Sequence, residues 1–291
     1  SEPEVRHRVF SLVSTRFTRV LDTLVSELPL LRAEIPVTSL ARSKAVKNPE
    51  LNQVPRGTVA QRMWRACHPY ADRRVTPMAA VAGAVADELL DCARSVVSAN
   101  KIWINNGGDI ALHLANDEVF DCGIVDDVMS GNLAGTVSLK SRDQIGGIAT
   151  SGRVTSGQGG RSFSLGIADA VTVLAASAAE ADVAATLIAN EVDLPGHSAI
   201  TRQSAQSLNP DSDLGLRPVV TSVDTLSADE IASALSKGEY FALQCLHNGL
   251  IAGAVLSLRG QRCMIGRASV EASGYPLTER TTSVSGLVEI A

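Results

Sequence analysis

Apolar residues Val5, Phe10, Val13, Phe17, Val20, Leu21, Leu24 and Val25 recur near a helical period, so the spacing predicts a helix over 5–32, broken at Pro29. Arg6, Arg8, Arg16, Arg19 and Asp22 fall mainly on the opposite side. From Ala33 to Gly57, prolines and polar residues erase the period, which predicts a long irregular connection. Pro77 opens PMAAVAGAVADELLDCARSVVS, a helix expected to run to about Ser98 with proline in its first turn. Ala79, Ala80, Ala82, Gly83 and Ala86 give this helix a nearly bare surface that another backbone, or a ligand, can approach closely.

Short β candidates follow at Lys101–Asn105, Asp109–Leu114, Val119–Val125, Thr136–Lys140 and Gly147–Thr150. An apolar strand, Ala170–Ala175, then feeds a helix from Ser177, where Ser177 and Glu180 form an S-x-x-E capping signature. Residues 193–216 read as loop with a weak element, and Val219–Val223 as a strand. Ser227 and Glu230 repeat the capping pattern before a helix expected to end near Ser236. Tyr240–His247 and Leu250–Leu258 flank Asn248-Gly249, which predicts two strands joined by a hairpin turn. Helices and strands interleave, so the class is α+β or α/β. No repeat or linker divides the chain. It reads as one domain, 1–291, with a basic helical part (1–75), a core carrying the site motifs (76–192) and a completing segment (193–291).

The 291 residues are 45% hydrophobic and 20% charged, as in ordinary soluble proteins. Aromatics make up only 3%, which leaves few rings for stacking on bases. Residues 1–75 hold 13 of the 26 Lys and Arg against seven acids, yet these cations are dispersed. They fit a solvated face or a subunit contact in a homo-oligomer, and nucleic acid is not expected as a partner. No apolar run approaches a membrane span, and no secretory leader pattern follows Ser1. Five cysteines, without a C-x-x-C pair, fit reduced thiols. The expectation is a cytoplasmic protein acting on a small-molecule ligand.

Three stretches could carry chemistry. In Asn105-Asn106-Gly107-Gly108-Asp109 the glycines can expose backbone N–H groups to an anion and Asp109 can accept hydrogen bonds; a plain hairpin turn explains the same residues. Gly146–Gly152 adds the hydroxyls of Thr150 and Ser151, with Gly152 and Arg153 following, and Ser156–Arg161 extends a polar loop. Asp182 and Thr186 stand four residues apart on one helix, about 6 Å from each other, so a carboxylate and a hydroxyl can reach one hard cation or one buried polar network. Neither the P-loop, G-x-G-x-x-G nor G-x-S-x-G spacing occurs. The histidines, at 7, 68, 113, 197 and 247, lack H-E-x-x-H or H-x-H spacing, and nothing in the sequence supports a His–Cys pair using Cys67 or Cys122.

Taken in order, the Ala/Gly helix Val81–Leu90, N-x-G-G-D at Asn105–Asp109, A-T-S-G at Ala149–Gly152 and D-x-x-x-T at Asp182–Thr186 resemble the ApbE-like family of FAD:protein FMN transferases. Over its full length, through PMAAVAGA, NNGGDIAL and GRSFSLGIADAVTVLA, the chain is similar to a bacterial branch of that superfamily. The resemblance implies an α+β fold with T-fold-like mixed sheets packed with helices. It implies FAD in a cleft and Mg²⁺ on the FAD pyrophosphate, held by Asp182, Thr186 and the carbonyl of Ala82. The implied reaction is attack of a protein threonine hydroxyl on the pyrophosphate with release of AMP. Asp109 would help orient the ligand; Asn106, Gly107, Gly108, Thr150, Gly152 and Arg153 are the candidates to line it, and Asp109, Asp169 and Ser151 the candidates for the chemistry. The family's I-A-K-G is Val81-Ala82-Gly83-Ala84 here, and its H-x-[IV]-D-P is replaced within Ser164–Asp169, where only the aspartate remains, as Asp169. Two alternatives follow. One is an enzyme on a small heterocyclic or carboxylic metabolite, including cyclic-amide ring hydrolysis, that reuses the cleft without flavin through Asp109, Asp169, Ser151 and Arg153. The other is a metabolite-binding protein without catalysis.

Overall fold

A computed structural model describes residues 3–37, 54–125, 133–153 and 163–266. The fold is α+β. Its centre is an antiparallel six-stranded sheet, order β1-β2-β5-β6-β9-β10. The strands are β1 (Lys101–Asn106), β2 (Asp109–Leu114), β5 (Gly147–Ser151), β6 (Ala170–Ala175), β9 (Gly253–Leu258) and β10 (Gln261–Gly266). Strand β6 is buried along its whole length, which accounts for its unbroken apolar sequence AVTVLA.

Helices cover one face. α4 (Val81–Arg94) lies over β1 and β2, α5 (Ala178–Glu191) over β5 and β6, and α7 (Ala228–His247) over β9 and β10. On the other face Leu112, Ile148, Leu174 and Val255 pack with Val137 and Leu139 of the separate hairpin β3 (Val119–Val125) and β4 (Leu133–Lys140). Outside these layers lie α1 (Pro3–Ser26), α2 (Leu28–Leu31) and α3 (Thr58–Cys67), with the small sheet β7 (Ile200–Ser204) and β8 (Pro218–Val223) and the short α6 (Ala205–Leu208). No helix among the described residues is long and apolar enough to cross a membrane.

The expected helix 5–32 is α1 followed by α2, with Pro29 in the first turn of α2. The N-cap of α5 is Ser177, whose hydroxyl accepts from the Glu180 N–H at 3.3 Å. At α7 the reciprocal box of Ser227 and Glu230 is complete. The irregular connection expected over 33–57 falls largely, and the polar stretch Ser156–Arg161 wholly, outside the described residues.

One expectation is overturned. Tyr240–His247 is not a strand but the second half of α7. Buried Ile231, Ala234, Leu235, Gly238, Phe241, Ala242 and Cys245 keep a helical period straight through Gly238. Asn248-Gly249 ends that helix rather than turning a hairpin. Leu250 N–H donates to the Cys245 carbonyl and Gly249 N–H to that of Leu246, with Gly249 at φ +69, the two bonds of a Schellman cap. The hairpin lies one element later, where β9 and β10 join through Arg259 and Gly260, both at positive φ. α3 and β10 were not read from the sequence at all.

Candidate functional site

The first turn of α4 crosses the N-terminal half of α5 at backbone distance. A Cβ on Gly83 would lie 2.2 Å from the Ala178 carbonyl oxygen, so only glycine fits. This close crossing brings the Gly83 amide to 3.0 Å from Asp182 Oδ2, to which it donates. Asp87, one turn further along α4, accepts from the amides of Ala178 and Ala179, both at 3.0 Å. Together with Ser177 it satisfies the first amides of α5. Asp87 was missed in the sequence, although its i+4 spacing from Gly83 marks it as a carboxylate on the small-residue face.

The β1–β2 turn at Gly107-Gly108 has both residues at positive φ, the sign pattern of a type I′ hairpin. Next to it Asn106 Nδ2 donates to the Ala82 carbonyl at 2.9 Å, and Asn105 Oδ1 accepts from Gly108. Asp109 begins β2 buried and accepts from the Thr150 amide. Thr150 and Thr172 share a hydroxyl hydrogen bond of 2.8 Å, and Thr186 Oγ1 lies 3.5 Å from Ser151 Oγ.

These elements open onto a cleft of about 1500 Å³ lined by Ala82, Asn106, Gly107, Asp109, Thr150, Ser151, Asp182 and Thr186. Eight of the twelve residues singled out in the sequence thus share one wall system. Gly108, Gly152, Arg153 and Asp169 are not among its lining residues. Asp169 instead accepts from the Arg259 amide, fastening the β9–β10 turn, and its charge acts on Arg153.

Burial pushes the Asp182 carboxyl well above the usual carboxylate range, and the charge of Asp109 pushes it further; the Gly83 and Ala82 amides oppose the shift. Burial likewise raises Asp109, to about 7, against the Thr150 amide. Two carboxylates in one poorly solvated space disfavour double ionisation. A proton or a cation between them relieves that stress. Cys67 is buried near Asp182, and burial raises its thiol strongly, so no reactive thiolate is made there. Its neighbour His68 lies against Trp64, with centroids 4.7 Å apart and the rings tilted by 38°.

Further along, the cleft is lined by Phe163, Leu165, Leu187, Asn190 and Arg202. Arg202 pairs with Asp193, and Arg73 pairs with Glu191 while its guanidinium lies 4.3 Å over the Phe241 ring. No group of three or more His, Cys, Asp or Glu side chains able to hold a metal occurs among the described residues.

A family model described as AbpE bacteria matches residues 1–264. Similar proteins include a UPF0280 protein of Methanobrevibacter smithii, 44% identical over 134 residues, which are 46% of this chain and 52% of that protein. A UPF0280 protein of Methanopyrus kandleri is 36% identical over 171 residues, 58% of this chain and 59% of that one. Another, from Methanocaldococcus jannaschii, is 39% identical over 116 residues, 40% and 44% of the two chains. The chain therefore spans about half the length of the curated relatives it matches. Among solved structures, the ApbE protein of Thermotoga maritima aligns over 94% of this chain and 77% of its own at 15% identity, with a TM-score of 0.37.

Proposed function

This chain belongs to the AbpE bacteria family, and from that premise we propose that its cleft binds FAD or a similar pyrophosphate-bearing ligand together with Mg²⁺, for transfer of FMN. The observation that carries the reading is the convergence of Asp109 and Asp182 on one cleft, where the charge of Asp109 adds to burial in disfavouring the ionised form of Asp182. The available donors are all oxygens: the Asp182 carboxylate, the Thr186 hydroxyl and the Ala82 carbonyl, with Asp109 on the same lining. Such a set fits a hard cation. The Ala82 carbonyl takes one hydrogen bond from Asn106 and keeps a second lone pair.

In this reading Asp182, Thr186 and Ala82 hold the Mg²⁺, which when bound supplies positive charge to the phosphate oxygens. The bare turn at Gly107 lets the phosphates approach the backbone, and the Thr150 and Ser151 hydroxyls hydrogen-bond their oxygens. Asp109, which lines the cleft, orients the ligand while the Thr150 amide holds the carboxylate still. In the transfer itself an acceptor hydroxyl oxygen would bond the flavin-side phosphorus as its bond to the bridging oxygen breaks, and the hydroxyl proton would pass to solvent or to the departing AMP phosphate.

Calorimetric titration of FAD with and without Mg²⁺ tests this. Binding is expected to require the cation and to disappear in Asp182→Ala. If FAD with Mg²⁺ neither binds nor raises the melting temperature of the wild-type chain, the reading is wrong.

A second reading has its own support. The positions of the family's lysine and histidine are altered here, and Asp169 is committed to the Arg259 amide. An enzyme acting on a small heterocyclic or carboxylic metabolite without flavin, cyclic-amide hydrolysis included, needs neither motif. Of the four residues that reading would use, Asp109 and Ser151 line the cleft and Asp169 and Arg153 do not. Turnover in a panel of cyclic amides, abolished by Asp109→Asn in a folded protein, would select it.

A further inference from the structure

Asp182, Thr186 and Asn190 follow one another at four-residue intervals along α5, and all three line the cleft. Successive i, i+4 positions lie along one side of a helix, so the polar track begun by the first two continues past the proposed cation. Eight residues of helix carry it about 12 Å further. Asn190 Oδ1 accepts the Leu165 amide at 3.0 Å. The Leu165 N–H can only donate, so this bond fixes which side of the Asn190 amide carries oxygen and turns the NH₂ group the other way. That NH₂ has no acceptor among the described residues. Phe163, Leu165 and Leu187 supply apolar side chains to the same lining, beside the charged Glu191, Asp193 and Arg202. The nearby guanidinium of Arg202 is already neutralised by Asp193.

We propose that Asn190 is a specificity-determining residue: its NH₂ reads an exocyclic oxygen, an oxo or carboxylate group, on a flat ring held at the far end of the cleft from Asp182. The Leu165 amide holds the carbonyl side of Asn190, so the group left to meet a ligand acceptor is its NH₂. An apolar wall with one oriented polar group is the usual construction for recognising a ring. A ligand that also carried phosphates would have to span the 12 Å track. This inference rests on the proposed cleft but on neither the cation nor the flavin.

The test separates the two ends. Riboflavin and nicotinate, each a ring with an exocyclic oxygen and no phosphate, are titrated in EDTA while the side-chain NH₂ signals of Asn190 are followed by ¹⁵N NMR. Inorganic pyrophosphate with Mg²⁺ is titrated by calorimetry. Asn190→Asp keeps an acceptor for Leu165 and removes the donor, so its melting temperature should stay close to wild type. It is expected to weaken binding of at least one ring probe about tenfold or more and to leave pyrophosphate unchanged. Asp182→Ala should do the reverse. Asn190→Ser, with a shorter donor, should recover part of the ring binding. If neither ring probe shifts the Asn190 signals, or Asn190→Asp weakens pyrophosphate as much as the rings, the inference is overturned. Failure of pyrophosphate alone would overturn the cation reading and leave this one standing.

Discussion

The Gly83 amide donates to the Asp182 carboxylate at 3.0 Å. The bond exists because α4 and α5 cross with no side chain between them, and it fixes the carboxylate that faces Asp109. Gly83→Ala would put a methyl 2.2 Å from the Ala178 carbonyl oxygen, against backbone that cannot rotate away. The expected loss is about 1–3 kcal/mol or more, read by denaturant unfolding, with Mg²⁺-dependent ligand binding falling alongside because Asp182 loses its donor.

Asp87 and Ser177 both serve the start of α5, but unequally. Asp87→Ala strands two buried amides, and the expected cost is on the order of 3 kcal/mol. Ser177→Ala removes one partly buried cap bond and should cost about 1 kcal/mol. Chemical denaturation of the two variants checks the order; equal costs would mean that water replaces Asp87.

The raised carboxyls at the cleft set the pH response of the ligand-free protein. Both are held above their unfolded values, so the folded state binds protons more tightly than the unfolded state. Stability should therefore fall as pH rises from about 4, the ordinary carboxylate value, through the folded value of Asp109, about 7. Melting curves in EDTA should show this decline, and Asp109→Asn should flatten it while keeping an acceptor for the Thr150 amide. Added Mg²⁺ should raise the melting temperature more at pH 8 than at pH 5.

Glu230 behaves in the opposite sense. The Ser227 amide, then the His197 ring and the Ser227 hydroxyl, hold its carboxyl down at about 2. Its folded value lies below the unfolded one, so its contribution is complete above the ordinary glutamate range and is lost as pH falls toward 2. A ¹³C carboxyl titration should find Glu230 among the last groups to protonate, and Glu230→Gln should reduce the pH dependence of stability below about 4.3.

The parts of this fold that local chemistry dictates were legible in the sequence. Ser177 and Ser227 announced their helices, short β runs announced β1 and β2, and the unbroken apolar run announced β6. The end of α7 was not legible, because a buried Gly238 imitates a stop and Asn-Gly serves a Schellman cap as readily as a hairpin. Glycine is needed at 238 by Val192 and Leu256, whose side chains come within 2.3 and 2.8 Å of where its Cβ would be. That is a tertiary fact, invisible along the chain. At the site, i+4 spacing correctly put Asp182 and Thr186 on one wall and could have been extended to Asn190. The position of Asp169 depends on the β9–β10 turn, which no local pattern ties to it.

The sheet order has a consequence for how the chain is made. β6 lies between β5 and β9, and α5, β7, β8 and α7 are all translated before β9 exists. Until then the most apolar strand of the protein has one open edge, a template for pairing with another nascent chain. Closure waits for a contact distant in sequence, which slows folding. Ribosome-bound chains halted before residue 253 should therefore recruit holdase chaperones and release them once β9 has emerged.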